Sequence, residues 1–93
     1  MRAKWRNVVV AESNETIVVE GNHYFPPAAL KRECFLPSSH RTICPWKGVA
    51  HYLDVVAGDL INVNAAWFYP DPAQAAEHIR DRVAFWNGVT VEP

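Results

Sequence analysis

The stretch 40–52 concentrates the side chains of this sequence that are best suited to chemistry. A cysteine thiolate is a nucleophile when its neighbours lower the pKa, and a histidine can serve as its general base near neutral pH. Alternate residues of an extended segment share one face, so His40 and Cys44 should point the same way. The stretch therefore predicts a candidate enzyme site, with Cys44 as nucleophile or redox thiol, His40 or His51 as base, and Lys47 as the contact for an anionic group.

Each of these residues also has a purely structural explanation. Free cysteine is among the most buried residue types, so burial statistics favour Cys44 as a small apolar core residue. The same holds for Cys34, the one resolving partner available to a redox thiol. Lys47, between Trp46 and Gly48, is either an anion-binding turn residue or a solvated lysine with a cation–π contact. The cysteines and histidines match no closed zinc motif, so we expect neither a metal nor a cofactor.

A second group consists of four aromatic residues with polar tips: Tyr24, Tyr52, Trp67 and Tyr69. Such side chains line many small-ligand pockets, because one part is apolar and the other forms hydrogen bonds. The alternative is that they are core residues on strand faces, since so small a domain has a thin core. Both can hold, because a pocket wall in a small domain is also its core. The leading prediction is a small-molecule pocket between two sheets, with these aromatic walls and with Lys47, His40 and His51 as polar contacts.

Short strands must position these residues, because tight turns rather than helices separate most of the apolar segments. We predict strands over 5–11, 16–20, 23–25, 40–45, 49–57 and 60–69. The first two of these should pair as a hairpin, and Asn87-Gly88 predicts another hairpin turn near the end of the chain.

Two helices are expected in addition. Pro70-Asp71-Pro72 predicts one that begins at Asp71 as its cap and continues to Val83, and the other spans Ala28 to Phe35. The expected fold class is mainly β (α+β), with largely antiparallel sheets and one or two short helices.

Composition limits the class of protein. A chain of 93 residues, 49% of them hydrophobic, makes one globular domain over residues 1–93. A net charge of −1 with scattered Lys and Arg gives no positive field, so we expect no nucleic-acid partner. No apolar run is long enough to cross a bilayer, and none marks a signal peptide. We therefore expect no membrane association, and a cytoplasmic location in which both cysteines are reduced.

Three segments resemble one known family: 22–26 (Asn-His-Tyr-Phe-Pro), 40–52, and 66–72 (Ala-Trp-Phe-Tyr-Pro-Asp-Pro). The most specific part is Thr-x-Cys-Pro-Trp-Lys-Gly-x-Ala-x-Tyr, from Thr42 to Tyr52. Together they resemble domain-of-unknown-function family 427 (DUF427) over nearly the whole chain. The resemblance implies a β-tent-like fold, in which two small antiparallel sheets pack at a steep angle. Methionine sulfoxide reductase B and the ligand-binding domain of cereblon are similar in architecture.

Two attributes of that family and its structural relatives do not extend to this sequence. The relatives hold a structural zinc ion with two Cys-x-x-Cys pairs, and the sequence has no such pair. The family also carries a nucleotidyltransferase-like label. Enzymes of that kind need a Gly-Ser turn and an Asp-x-Asp pair to hold metal and triphosphate, and the sequence has neither. The resemblance therefore implies a fold and leaves the function open.

Three functions remain, in this order: small-molecule binding, an enzyme that uses Cys44, and a protein-interaction module. The third would use Trp46 or Trp86 as an exposed anchor, and a self-complementary patch around either would form a homodimer. The environment of Cys44 discriminates between the first two. A catalytic thiol should be partly exposed beside a cation, and a structural one sealed among aliphatic side chains.

Overall fold

Nine short strands form three antiparallel sheets in the computed structural model, which describes all 93 residues. This confirms the predicted mainly β fold, with three sheets rather than two. The strands are β1 (Arg2–Trp5), β2 (Val8–Glu12), β3 (Ile17–Val19), β4 (Asn22–Tyr24), β5 (Phe35–Cys44), β6 (Gly48–Ala57), β7 (Leu60–Phe68), β8 (Val83–Phe85) and β9 (Thr90–Glu92). The sheet orders are β2-β1-β9, β3-β4 and β5-β6-β7-β8.

The amino-terminal pairing differs from the prediction. The predicted strand 5–11 is interrupted by Arg6 and Asn7, whose φ angles of 50° and 65° make a tight turn between β1 and β2. A positive φ at both central residues suits the twist of a two-residue hairpin. The predicted partner strand 16–20 instead pairs with β4, through a turn at Glu20-Gly21. The expected hairpin between the first two predicted strands was therefore wrong.

Helix prediction failed after the long strand β7. The segment after Pro72 contains only a 3-10 helix, Gln74–Ile79, with non-helical backbone angles at Ala76. Its cap is Ala73, without a side-chain hydrogen bond, so the role predicted for Asp71 was wrong. The backbone turns here because Ala76 and Ile79 are both fully buried in the core, and tertiary packing overrides the local preference.

The predicted helix 28–35 is likewise reduced to two 3-10 helices, Pro27–Ala29 and Arg32–Cys34. The Asn87-Gly88 turn forms as predicted, with φ of 54° and 94°. It is not a hairpin, however, because β8 before it pairs with β7 and β9 after it pairs with β1. The turn therefore carries the chain from one sheet to another. None of the three 3-10 helices has the length or hydropathy needed to cross a bilayer.

The core consists of two clusters of buried side chains. The larger one joins the amino-terminal sheet to the four-stranded sheet and includes Phe25, Val55 and Phe85. The smaller one contains Tyr24, Ala50, Tyr69, Ala76, Ile79 and Ala84. Tyr52, Trp67 and Cys44 pack against the smaller cluster and are only partly buried. The aromatic residues predicted for the site therefore gather at the edge of the smaller cluster.

Candidate ligand-binding site

A pocket of about 250 Å³ opens beside the smaller core cluster. Its walls are Lys47, Tyr52, Trp67, Tyr69 and Trp86. Four of these five are among the residues that the sequence predicts as ligand contacts. Trp86 was expected only as an interaction anchor, and it lines the pocket while staying 53% exposed.

Sheet register brings the aromatic walls together. Tyr52 on β6 lies directly opposite Trp67 on β7, and Trp67 lies opposite Ala84 on β8. Residues two apart on an extended chain share a face, so Tyr69 follows Trp67 and Trp86 follows Ala84 on the same side. Strand pairing thus places four side chains on one surface: Tyr52, Trp67, Tyr69 and Trp86.

Tyr24 stands behind this surface and supports it. Its ring meets that of Trp67 edge-on, with centroids 6.3 Å apart and planes at 88°. The Trp67 indole Nε1 donates a hydrogen bond of 3.1 Å to the Tyr24 hydroxyl. Tyr24 is fully buried, and this burial raises the pKa of its hydroxyl, which stays neutral. Tyr24 therefore supports Trp67 from within the core and does not line the pocket.

Lys47 supplies the charge of the pocket. Lys47 is only 7% exposed. Its Nζ lies 5.7 Å from the ring centroid of Tyr69 and 5.2 Å from that of Trp46. The ammonium group forms an ion pair with the carboxylate of Glu20. Burial is the largest single influence and would lower the pKa of Lys47. The hydrogen bond to Glu20 and the interactions with Tyr24, Tyr69 and Cys44 together outweigh burial, so the net pKa is raised. Lys47 is therefore a fixed cation at neutral pH.

Two turns hold this ion pair in place. Gly48, at φ +115°, packs so closely on 71–73 that an added Cβ would lie 3.4 Å from the Asp71 carbonyl oxygen. The Lys47 carbonyl oxygen accepts a 2.9 Å hydrogen bond from the Ala73 amide. Glu20 arrives on the β3–β4 turn, where its own φ is 52°. Sequence reasoning missed Glu20, because nothing local shows that this turn reaches Lys47, 27 residues away.

Tyr69 offers a polar group that the protein itself does not use. Its side chain is almost completely buried, and burial raises the pKa of the phenol to about 12. Its hydroxyl makes no hydrogen bond within the protein, and because no fully buried side-chain polar atom lacks a partner, the hydroxyl oxygen must reach the surface. The backbone is anchored, because the Asp81 amide donates a 3.0 Å hydrogen bond to the Tyr69 carbonyl oxygen. The neutral hydroxyl is thus held in the wall and free to bond a ligand.

A comparison with known protein families covers the segments that build this pocket. A family profile described as a domain of unknown function (DUF427) matches residues 1–92. The chain belongs to the DUF427 family. The resemblance predicted from segments 22–26, 40–52 and 66–72 is thereby confirmed. No curated protein matches the sequence at a significant level.

Tyr52 anchors the rim of the pocket in this DUF427 domain. The His40 ring lies 4.7 Å from the Tyr52 ring, and the Thr42 and Tyr52 hydroxyls share a hydrogen bond of 2.9 Å. Both contacts come from β5, and they restrain the Tyr52 ring beside Trp67. His40 therefore borders the pocket through Tyr52.

His51 lies on the opposite face of the sheet, since it adjoins Tyr52 on β6. Its ring lies tilted against that of Phe68, with centroids 5.7 Å apart and planes at 53°. Burial and, next, the positive charge of Arg41 lower the pKa of His51, so the ring is neutral at pH 7. The structure thus does not bring His51 to the pocket.

Cys44 is a half-buried free thiol that packs against the smaller cluster without lining the pocket. It lies four positions after His40 on β5, a span of about 13 Å along an extended strand. Because His51 is on the other face, neither predicted base reaches the thiol. Cys34 is 6% exposed in the larger cluster, away from Cys44, and burial raises its pKa. Around the pocket the DUF427 domain therefore presents hydrogen-bond donors and aromatic walls, and the half-buried Cys44 thiol lies within electrostatic range of Lys47.

Proposed function

We propose that this domain binds a small flat molecule that carries a hydrogen-bond acceptor, such as a carboxylate or a carbonyl. The observation that carries the proposal is the placing of the Lys47 ammonium group, almost fully buried, at the edge of a pocket with four aromatic walls. Aromatic rings bind flat apolar groups by stacking and edge contacts, and a few placed polar groups set their orientation.

The polar groups favour an acceptor on the ligand. An ammonium group has three N–H donors, and Glu20 accepts one of them, so two remain for a ligand. The Tyr69 hydroxyl can donate a further bond. A cationic ligand is disfavoured, because the positive charge of Lys47 already occupies the face of Tyr69 that would attract it.

Pocket size limits the ligand to one ring or a fused ring pair. The volume of about 250 Å³ lies just below the range of about 300–1,000 Å³ typical of sites for drug-sized ligands. The exposed side of Trp86 leaves the pocket open to solvent, so a ligand can enter without a large rearrangement.

The enzyme alternative keeps one point in its favour, because the half-buried Cys44 thiol lies within electrostatic range of Lys47. It has less support than ligand binding, because the thiol does not line the pocket and neither predicted base is beside it. The interaction module keeps Trp46, which is 40% exposed, as its anchor, whereas Trp86 is part of the pocket wall. We place the protein in the cytoplasm, a location supported by two free thiols, which a reducing compartment maintains.

The test compares benzoate, benzamide and benzylamine, which share a ring and differ in the polar group. We expect benzoate to bind most tightly and benzylamine most weakly, with the Trp67 and Trp86 indole N–H resonances shifting on titration in nitrogen-15 NMR spectra. Lys47→Met should weaken benzoate about tenfold or more, since a hydrogen bond to a charged group contributes about 1.5–3 kcal/mol. Glu20→Gln should strengthen it several-fold, because a competing negative charge is removed.

Matched controls come from other ion pairs of the same domain. Lys4→Met breaks the exposed pair with Glu92, and Glu77→Gln breaks the exposed pair with Arg80. Neither should change benzoate affinity beyond the effect of net charge. Preference for benzylamine, or equal benzoate affinity in wild type and Lys47→Met, would disprove the proposal.

A further inference from the structure

A second cavity of about 350 Å³ lies on another part of the molecule. It is bounded by the 3-10 helices Pro27–Ala29 and Arg32–Cys34 and by the first residues of β5, and it shares no residue with the aromatic pocket. Its floor is formed by Leu30, Phe35 and Leu53, which pack against the larger core cluster. We call it the Arg32 groove.

The groove is held open by the backbone around it. The Lys31 amide donates a 2.9 Å hydrogen bond to the Val10 carbonyl oxygen, which ties the chain between the two helices to β2. Leu30 is bridged to the neighbouring Ala11 as well. Pro27 and Pro37 both line the groove, and proline fixes φ near −65°. A ligand would therefore bind with a small ordering cost.

Arg32 is the one charged residue that lines the groove. It is also the one arginine of six whose guanidinium has no protein partner. Arg6 lies over the Trp5 ring. The other four arginines donate to carbonyl or carboxylate oxygens: Arg2, Arg41, Arg80 and Arg82. A guanidinium presents several N–H donors in a planar fork that matches a carboxylate. The groove thus combines an apolar floor with an uncommitted anion contact.

We propose that the Arg32 groove binds a small amphipathic carboxylate, with its apolar body over Leu30, Phe35 and Leu53 and its carboxylate on the Arg32 guanidinium. The volume lies within the range of small-molecule sites. Leu36 on the rim is 45% exposed, and an aliphatic ligand would cover its apolar surface. This site is independent of the aromatic pocket, because the two have no residue in common.

The test titrates octanoate, octanol and octylamine, which have equal chain length, into nitrogen-15-labelled protein below the micelle concentration. We expect octanoate to shift the amide resonances of Arg32, Phe35, Leu36 and Leu53, to bind more tightly than octanol, and octylamine to bind most weakly. Arg32→Gln should weaken octanoate about tenfold, which corresponds to ~1.4 kcal/mol, and leave octanol unchanged. Leu36→Glu, at an exposed position that tolerates substitution, should weaken octanoate by charge repulsion.

Lys31→Gln is the matched control, since it removes the same charge from the adjacent residue, which does not line the groove. It should leave octanoate affinity within about twofold of wild type. The proposal is overturned if octanoate shifts no groove resonance, if its shifts are confined to the aromatic pocket, or if Arg32→Gln and Lys31→Gln have equal effects. Each of these outcomes is distinct from the benzoate result, so one site can fail while the other holds.

Discussion

Lys47 shows how one residue can belong both to the core and to a site. A buried charge is costly unless it is paired and hydrogen-bonded. Here Glu20 supplies the pair, and the rings of Trp46 and Tyr69 surround the ammonium group. Of the two explanations considered for Lys47, an anion contact and a solvated turn lysine with a cation–π contact, the second is wrong about solvation, because the residue is only 7% exposed. The stack on Trp46 is observed, whereas the anion contact remains a proposal.

Tyr69 gives a prediction at the same scale, for stability at high pH. Burial raises its pKa to about 12 in the folded domain, against about 10 in the unfolded chain. Between these values the unfolded chain loses its proton first, so stability is full below pH 10 and falls as the pH rises towards 12. We expect Tyr69→Phe to reduce this fall, measured as the urea midpoint at pH 9 and at pH 11.5. An equal fall in the variant and in wild type would contradict the pKa assignment.

At the scale of elements, an irregularity in β7 places Trp86 over the pocket. Asn64 lies within the strand at φ 57°, a left-handed conformation, next to a register shift between β6 and β7. Its backbone amide donates a 2.9 Å hydrogen bond to the Asp54 carboxylate, and its side-chain oxygen accepts a 2.5 Å hydrogen bond from the Ser38 hydroxyl. Its carbonyl oxygen accepts a 2.6 Å hydrogen bond from the Trp86 indole. The Trp86 backbone amide donates a 3.0 Å hydrogen bond to the Ala65 carbonyl oxygen, so strand pairing holds the backbone while the bulge orients the exposed indole.

Substitution at Asn64 separates backbone conformation from side-chain bonding. Both Asn64→Ala and Asn64→Gly lose the Ser38 hydrogen bond, but only alanine meets a steric penalty at positive φ, of about 1–2 kcal/mol. We expect Asn64→Ala to lower the free energy of unfolding more than Asn64→Gly does, as measured in urea. The exchange rate of the Trp86 indole N–H, which reports its hydrogen bond, should likewise rise more in Asn64→Ala than in Asn64→Gly. If glycine lowers the free energy of unfolding as much as alanine does, the left-handed conformation at position 64 is not the cause of the destabilisation.

At the scale of the whole molecule, the two core clusters differ in their relation to the aromatic pocket. The larger one joins the sheets and encloses Cys34, whereas the smaller one ends in the aromatic pocket and is flanked by Cys44. A domain this small buries a limited fraction of its surface, so the pocket wall and the core are the same side chains. Changes that enlarge the pocket, such as truncation of Trp67, should therefore also destabilise the fold.

The two thiols report this organisation directly. With iodoacetamide at pH 8, we expect the half-buried Cys44 to react in the folded protein. Cys34, which is 6% exposed and has its pKa raised by burial, should react only when the larger core opens. Peptide mass spectrometry would read the two sites separately. The Cys34 rate should rise steeply with urea while the Cys44 rate changes little, and equally fast labelling of both in the absence of urea would refute the assignment of Cys34 to the core.

The sequence by itself determined the features that depend on neighbouring residues. The long strands β6 and β7 follow from β-branched and aromatic content, and the Asn87-Gly88 turn follows from the ease with which these two residues adopt positive φ. The DUF427 membership followed from segments of contiguous residues. Lys47, Tyr52, Trp67 and Tyr69 were grouped from their chemistry, before any geometry was known.

Only the tertiary structure decided which surfaces meet. The predicted helix after Pro72 is reduced to 3-10 turns because Ala76 and Ile79 must reach the core, which outweighs a cap signal of about 1 kcal/mol. Strand pairing put His51 on the far face, and a 27-residue separation hid the contact between Glu20 and Lys47. Trp86 joined the pocket through a bulge at Asn64, 22 residues earlier. Local preferences are set by nearest neighbours, whereas these contacts depend on the burial and register of the whole chain.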